Sequence, residues 1–133
     1  MQQIEHIGIA VRDINAANKV YTKFLGVEPY KTEQVTSEGV NTSFFQVGIS
    51  KIELLEATSE TSPIARFLSK KGEGVHHIAF AVPDILTEMQ RLKQAGFTLL
   101  NELPKPGADN KLVCFVHPKN AHGVLIELCQ ERR

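Results

Sequence analysis

A surplus of charge of either sign is absent from this sequence: 15 Lys and Arg balance 15 Asp and Glu, for a formal net charge of zero. With no global field to draw a polyanion or an anionic membrane, the composition speaks against nucleic-acid and membrane-surface binding, and any anionic ligand must be held locally. Long apolar runs are missing too. Nothing continues far enough to span a bilayer, and the amino-terminal MQQIEHIGIAV has neither the basic region nor the apolar core of a secretory signal. The expectation is a soluble, cytoplasmic protein with no nucleic-acid partner and no membrane. Cysteine is scarce as well: Cys114 and Cys129 lie in apolar, strand-like runs, where buried free thiols are expected and neither a disulfide nor catalysis is assigned. At 133 residues the chain has the length of one domain, long enough for a core and short for two independent ones.

What the chain does contain is a repeat. The stretch HIGIAV from His6 to Val11 returns as HIAFAV from His77 to Val82, an offset of 71 (77 − 6), and the match continues through Asp13 with Asp84 and Ile14 with Ile85. Two copies of one unit in so short a chain predict two modules of one body, each bringing a histidine from the same place.

In the first copy, His6, Gly8 and Ala10 alternate with Ile7, Ile9 and Val11, the two-residue period of a strand with one oily face and one small face. Small residues beside a histidine leave space on that face. Asp13 can cap a helix with apolar positions Ile14, Ala17, Tyr21 and Phe24 that ends before Gly26. A short strand and its exit are expected over Val27 to Thr36, a turn at Ser37-Glu38-Gly39, and a hairpin of Thr42 to Val47 with Lys51 to Ala57. Ser62-Pro63 starts a helix carrying Ile64, Phe67 and Leu68 and stopping near Gly72. The second copy then runs strand His76 to Val82, Asp84 cap, a helix with Ile85, Met89 and Leu92 ending before Gly96, and a short strand Phe97 to Leu100. A loop over Pro104 to Asn110 precedes the closing strands Leu112 to Val116 and Val124 to Cys129, joined by the enlarged turn from His117 to Gly123. The organisation predicted is module one over about 1–58, a linker helix over about 62–72 and module two over about 74–131.

The last strands of the two copies also match, Ile52-Glu53-Leu54 with Ile126-Glu127-Leu128. Each half thus carries one histidine on its first strand and one glutamate on its last. An approximate two-fold axis relating the halves would gather His6, Glu53, His77 and Glu127 inside a curved sheet. Imidazole with carboxylate suits a divalent transition metal. Four protein ligands on an octahedral ion leave two positions, enough to chelate two oxygens of one substrate. Singly, each histidine or glutamate reads as a core or solvated group; the duplication changes that reading. His76 faces the other side of its strand and reads as structural or as a support behind the ligands, and His117 and His122 fall in a loop, where solvent exposure is the default expectation and a site contact the alternative.

The segments HIGIAV, IELLEA, GVHHIAFAV and GVLIEL resemble the vicinal oxygen chelate superfamily, which also holds glyoxalase I, ring-cleaving dioxygenases and antibiotic-resistance proteins. Over nearly its whole length the chain is similar to the methylmalonyl-CoA epimerases, with SPIARFLSKKGEGVHHIAF and HPKNAHGVLIELCQ as the specific pieces. The resemblance implies an α+β fold of two βαβββ modules with pseudo-two-fold symmetry, forming a curved, partly closed sheet around a metal site. It also implies His6, Glu53, His77 and Glu127 as ligands of one divalent ion, cobalt favoured, with zinc, manganese and nickel as alternatives. The reaction implied is proton abstraction at carbon 2 of methylmalonyl-CoA through a metal-stabilised enolate, with Glu127 as one base. Some members place a separate second base in the strand after the Glu38-Gly39 turn, where this chain has Thr42, so Glu53 is assigned that part through the pseudo-symmetry. Lys119 is the substrate-binding candidate, with Lys105 and Lys111 near it, and a homodimer acting on an acyl-CoA thioester is expected. The other readings are a glyoxalase I-like enzyme acting on a glutathione adduct and a metal-free binding protein of the same fold.

Overall fold

A computed structural model of the chain describes residues 1–132, which form three α-helices and eight strands with three short 3-10 turns. Two compact units are present: one runs from His6 to His76, and the other combines Met1–Glu5 with the chain from His77 onward. Each has the strand, helix and three-strand composition that the repeat predicts.

In the first unit, strand β1 (Gln3–Ala10) leads into helix α1 (Ile14–Leu25), then strands β2 (Lys31–Val35), β3 (Val40–Val47) and β4 (Ser50–Ala57), and helix α2 (Pro63–Lys71). The strand order is β2-β3-β4-β1, with β1 parallel to β4 and the rest antiparallel. The second unit repeats this with β5 (Gly74–Ala81), α3 (Ile85–Gln94), β6 (Lys105–Pro106), β7 (Lys111–Val116) and β8 (Ile126–Glu131) in the order β5-β8-β7-β6, β5 being parallel to β8. The amino-terminal end of β1 belongs to this second unit, where the Gln2 amide donates to the Ala81 carbonyl at 2.9 Å.

The helices start as the sequence dictates. Asp13 Oδ1 accepts from the amides of Asn15 and Ala16 at 3.0 and 3.1 Å, and Asp84 Oδ1 accepts from the Thr87 amide at 3.2 Å. Helices α1 and α3 are also tied to the last strand of their own unit. The Ile14 amide donates to Glu56 Oε2 at 3.0 Å, and the Ile85 amide donates to Gln130 Oε1 at 2.7 Å. Gly39 sits at φ 64°, and a Cβ there would lie 2.8 Å from Ser62 Cβ, so this turn can press onto the start of α2 only as glycine.

Apolar packing follows the two faces of each sheet. Phe45 and Leu54 are fully buried with Val11 under α1, whose Ile14, Ala17, Tyr21 and Leu25 cover them; Phe24, expected in that stripe, is 80% exposed and Leu25 takes its place. In the second unit Ile85, Met89 and Leu92 of α3 pack on Val116, Cys114 and Leu128. The strand expected over Phe97 to Leu100 is reduced to one bridge between Leu99 and Val116, and β6 forms inside the stretch expected to be all loop. No helix of the described residues is long and apolar enough to cross a membrane.

Leu54→Ala should lower stability by roughly 3–4 kcal/mol, the cost of the lost transfer energy plus the cavity left between α1 and the sheet. Urea unfolding followed by circular dichroism checks this, and a loss below about 1 kcal/mol would mean that the site collapses freely.

Candidate active site

Strand alternation places the small and the chemical residues together. In the first unit β1 turns His6, Gly8 and Ala10 to one face, and β4 turns Glu53 and Leu55 to the same face, with Gly8 in register with Glu53. His6 Nδ1 lies 3.0 Å from Glu53 Oε2, and both side chains are almost wholly buried. The second unit repeats the arrangement. His77 Nε2 lies 3.2 Å from Glu127 Oε1, both buried, and Ala79 stands in register with Glu127. The space left by the small residues on the first strand of each unit is the space beside its glutamate.

Each glutamate also has a phenylalanine directly across the antiparallel ladder. Phe44 faces Glu53 and Phe115 faces Glu127, and the His77 ring meets Phe115 edge-on at 5.9 Å. The carboxylates are therefore walled by hydrocarbon on one side and hold an imidazole on the other. Burying such a pair costs desolvation energy that the mutual attraction offsets only in part, so it is poor material for stability alone. Finding it twice, at matching places, points to use. Imidazole nitrogen and carboxylate oxygen are the donor chemistry of first-row divalent metals, so each half presents a buried pair of metal-ligating type.

The remaining sites expected from the sequence fall as follows. Thr42 is 1% exposed on the face of β3 that carries Phe44, across from Leu55, and its hydroxyl is without a hydrogen-bond partner among the described residues. His76 packs edge-on against Phe67 at 5.0 Å, a structural role. The His117 ring accepts from the Lys119 amide at 3.0 Å, capping the 3-10 turn that carries Lys119 into solvent. Lys111 is buried and pairs with Glu131 at 3.5 Å, which removes it from the phosphate-binding candidates. Cys114 and Cys129 are buried free thiols as expected, and burial pushes the Cys114 thiol pKa up, which keeps it protonated and unreactive. The two phenylalanines went unnoticed in the sequence, although Phe44 and Phe115 stand at the offset of the histidines, 71 (115 − 44).

The family model of the Glyoxalase/Bleomycin resistance protein/Dioxygenase superfamily matches residues 5–115. The chain belongs to this superfamily. Within it, the ethylmalonyl-CoA/methylmalonyl-CoA epimerase of Cereibacter sphaeroides is 43% identical over 130 residues, covering 96% of this chain and 97% of that protein. A glutamine-to-alanine variant of Streptomyces coelicolor methylmalonyl-CoA epimerase, solved in complex with 2-nitronate-propionyl-CoA, superposes with a TM-score of 0.96 at 35% identity, covering 100% and 99% of the two chains. A methylmalonyl-CoA epimerase in complex with methylmalonyl-CoA and NH4+ gives a TM-score of 0.95 at 36% identity, covering 98% and 95%. The α+β fold that the resemblance implies is thus the fold of the family's epimerases.

Proposed function

We propose that this chain is a methylmalonyl-CoA epimerase, an isomerase that inverts carbon 2 of its acyl-CoA substrate. The observation that carries the reading is the duplicated buried pair, His6 with Glu53 and His77 with Glu127, in a chain similar over nearly its full length to proteins of that name. The four side chains would hold one divalent ion, and their nitrogen and oxygen donors suit cobalt, manganese, nickel or zinc. Such an ion, when bound, supplies positive charge that lowers the energy of an enolate.

The chain's own residues would then perform the proton transfers. The carboxylate of Glu127 takes the proton from carbon 2 and becomes a carboxylic acid, leaving the carbon planar. Glu53, its counterpart in the other half, returns a proton to the opposite face from its own carboxyl group. The reverse reaction exchanges their parts. Thr42 offers a hydroxyl and no carboxylate, so it does not serve as the second base at ordinary pH. Phe44 and Phe115 keep water from one side of each carboxylate, which favours transfer to carbon over transfer to solvent.

The test is exchange of the carbon-2 proton of methylmalonyl-CoA in D2O, with cobalt or manganese supplied. Exchange with wild type supports the reading; no exchange with either ion refutes it. In the same assay Glu53→Gln should retain metal and lose turnover in both directions by about 10²-fold or more. Near-normal turnover with metal retained would exclude Glu53 as the second base.

A further inference from the structure

On the helix-covered face of the sheet the two units part ways. In the second unit Met89 of α3 and Cys114 of β7 are buried, and with Leu112 they fill the space between helix and strands with apolar side chains. At the offset of 71 (89 − 18), the first unit has Asn18, Ser43 and Asn41 in these places. Helix α1 accordingly buries none of its side chains fully, whereas α3 buries three.

Between the first half of α1 and strands β2 and β3, the first unit keeps a cavity of about 320 Å³, within the range of small-ligand sites. The β2–β3 register sets Thr32 beside Ser43 and Gln34 beside Asn41, while Asn15 and Asn18 line the cavity from the helix. Ser43 is 0% exposed, on the face of β3 that carries Phe45 against α1. Thr42 and Phe44 alternate to the opposite face with Glu53, so the sheet separates this cavity from the buried pair of His6 and Glu53.

Ser43 Oγ and Asn18 Oδ1 are buried and have no hydrogen-bond partner among the described residues. Asn41 is engaged: its Nδ2 donates to Glu56 Oε1 at 3.2 Å, and the other oxygen of that carboxylate accepts from the Ile14 amide. Buried polar atoms are costly to leave unmet, and the second unit shows that apolar side chains can fill the same place. Ser43 Oγ can donate or accept, but Asn18 Oδ1 only accepts, so whatever meets it must bring an O–H or N–H. Of the described residues lining the cavity none is cationic or aromatic. Glu33, the one charged member, alternates to the other face of β2 and pairs with Lys31 at 3.2 Å. An anion therefore finds no counter-charge there, and a nucleobase no ring to stack on.

We infer that this cavity is a binding site for a small neutral polyhydroxyl molecule, a polyol or sugar. Its hydroxyls meet Ser43 Oγ and Asn18 Oδ1 inside, and the exposed Asn15, Thr32 and Gln34 at the rim. The site is independent of the proposed epimerase chemistry, which belongs to the other face of the sheet.

The test titrates isotope-labelled protein with glycerol, ribose and myo-inositol, beside benzene as the apolar and inorganic phosphate as the anionic comparison, and follows backbone amide shifts by NMR. At least one polyhydroxyl probe should give saturable shifts centred on residues 14–18, 32–34 and 41–43. Asn18→Met, which places the second unit's residue in the cavity, should abolish them. Ser43→Ala, which keeps the cavity and removes one hydroxyl, should weaken binding by about fivefold. Melting temperature should hold or rise in both variants, because each removes a buried polar atom that has no protein partner. No saturable shift with any polyhydroxyl probe, or saturation by benzene or phosphate in their place, overturns the inference. Should Asn18→Met fail to fold, Ser43→Ala decides alone, and a loss of affinity below about twofold overturns it as well.

Discussion

Glu127→Gln should reduce turnover of methylmalonyl-CoA by about 10³-fold or more while the protein remains folded, because general-base catalysis by a positioned carboxylate contributes on that scale. The substitution keeps the shape of the side chain and removes the charge that accepts the proton. It would also weaken one of the four proposed metal ligands, so the loss should appear in proton exchange as well as in net epimerisation. Stability should hold or rise. Glu127 is 6% exposed and its side chain lies between His77 and Phe115, and replacing a buried charge by a neutral group that can still hydrogen-bond removes a desolvation cost. Proton exchange measured by mass spectrometry, beside a thermal unfolding curve, checks both halves of the prediction. Turnover within tenfold of wild type would place the base elsewhere, and a collapse in melting temperature would mean that Glu127 serves the fold first.

Glu127 and Thr42 are alike in burial and unlike in duplication. Both are buried on site-bearing faces of apolar strands. Glu127 has a counterpart in Glu53 with the same register to a phenylalanine and the same imidazole partner type, whereas Thr42 corresponds by offset to Val113, which carries no polar group. On the proposed reading, chemistry on two faces of one carbon would be served by the repeated carboxylate.

Strands β1 and β5 were legible because alternation over six residues is long enough to fix both the element and the face, and with the face came His6 and His77. Helix starts were legible because Asp13 and Asp84 are strong amide acceptors placed just ahead of apolar periodicity. Phe24 was misplaced because Phe24 and Leu25 both fit a stripe through Tyr21, and only packing against the sheet selects the second. The two residues of β6 are shorter than one period of any pattern and lie among prolines and glycines, so their pairing with β7 had no sequence signature. Lys31 was invisible for a related reason. Lys31-Thr32-Glu33-Gln34 has no apolar alternation, and the place of Lys31 beside Phe44 follows only from the β2–β3 register.

Metal content of purified protein, beside that of His6→Ala and His77→Ala, tests the central claim most directly. If His6, Glu53, His77 and Glu127 serve one ion, protein prepared without chelator and dialysed against cobalt should hold one equivalent per chain. Removing the histidine of either half should then lower affinity by about tenfold or more and epimerase activity with it. Two equivalents in wild type, or loss of metal on substitution in one half only, would show that the two pairs do not share an ion and would contradict the account.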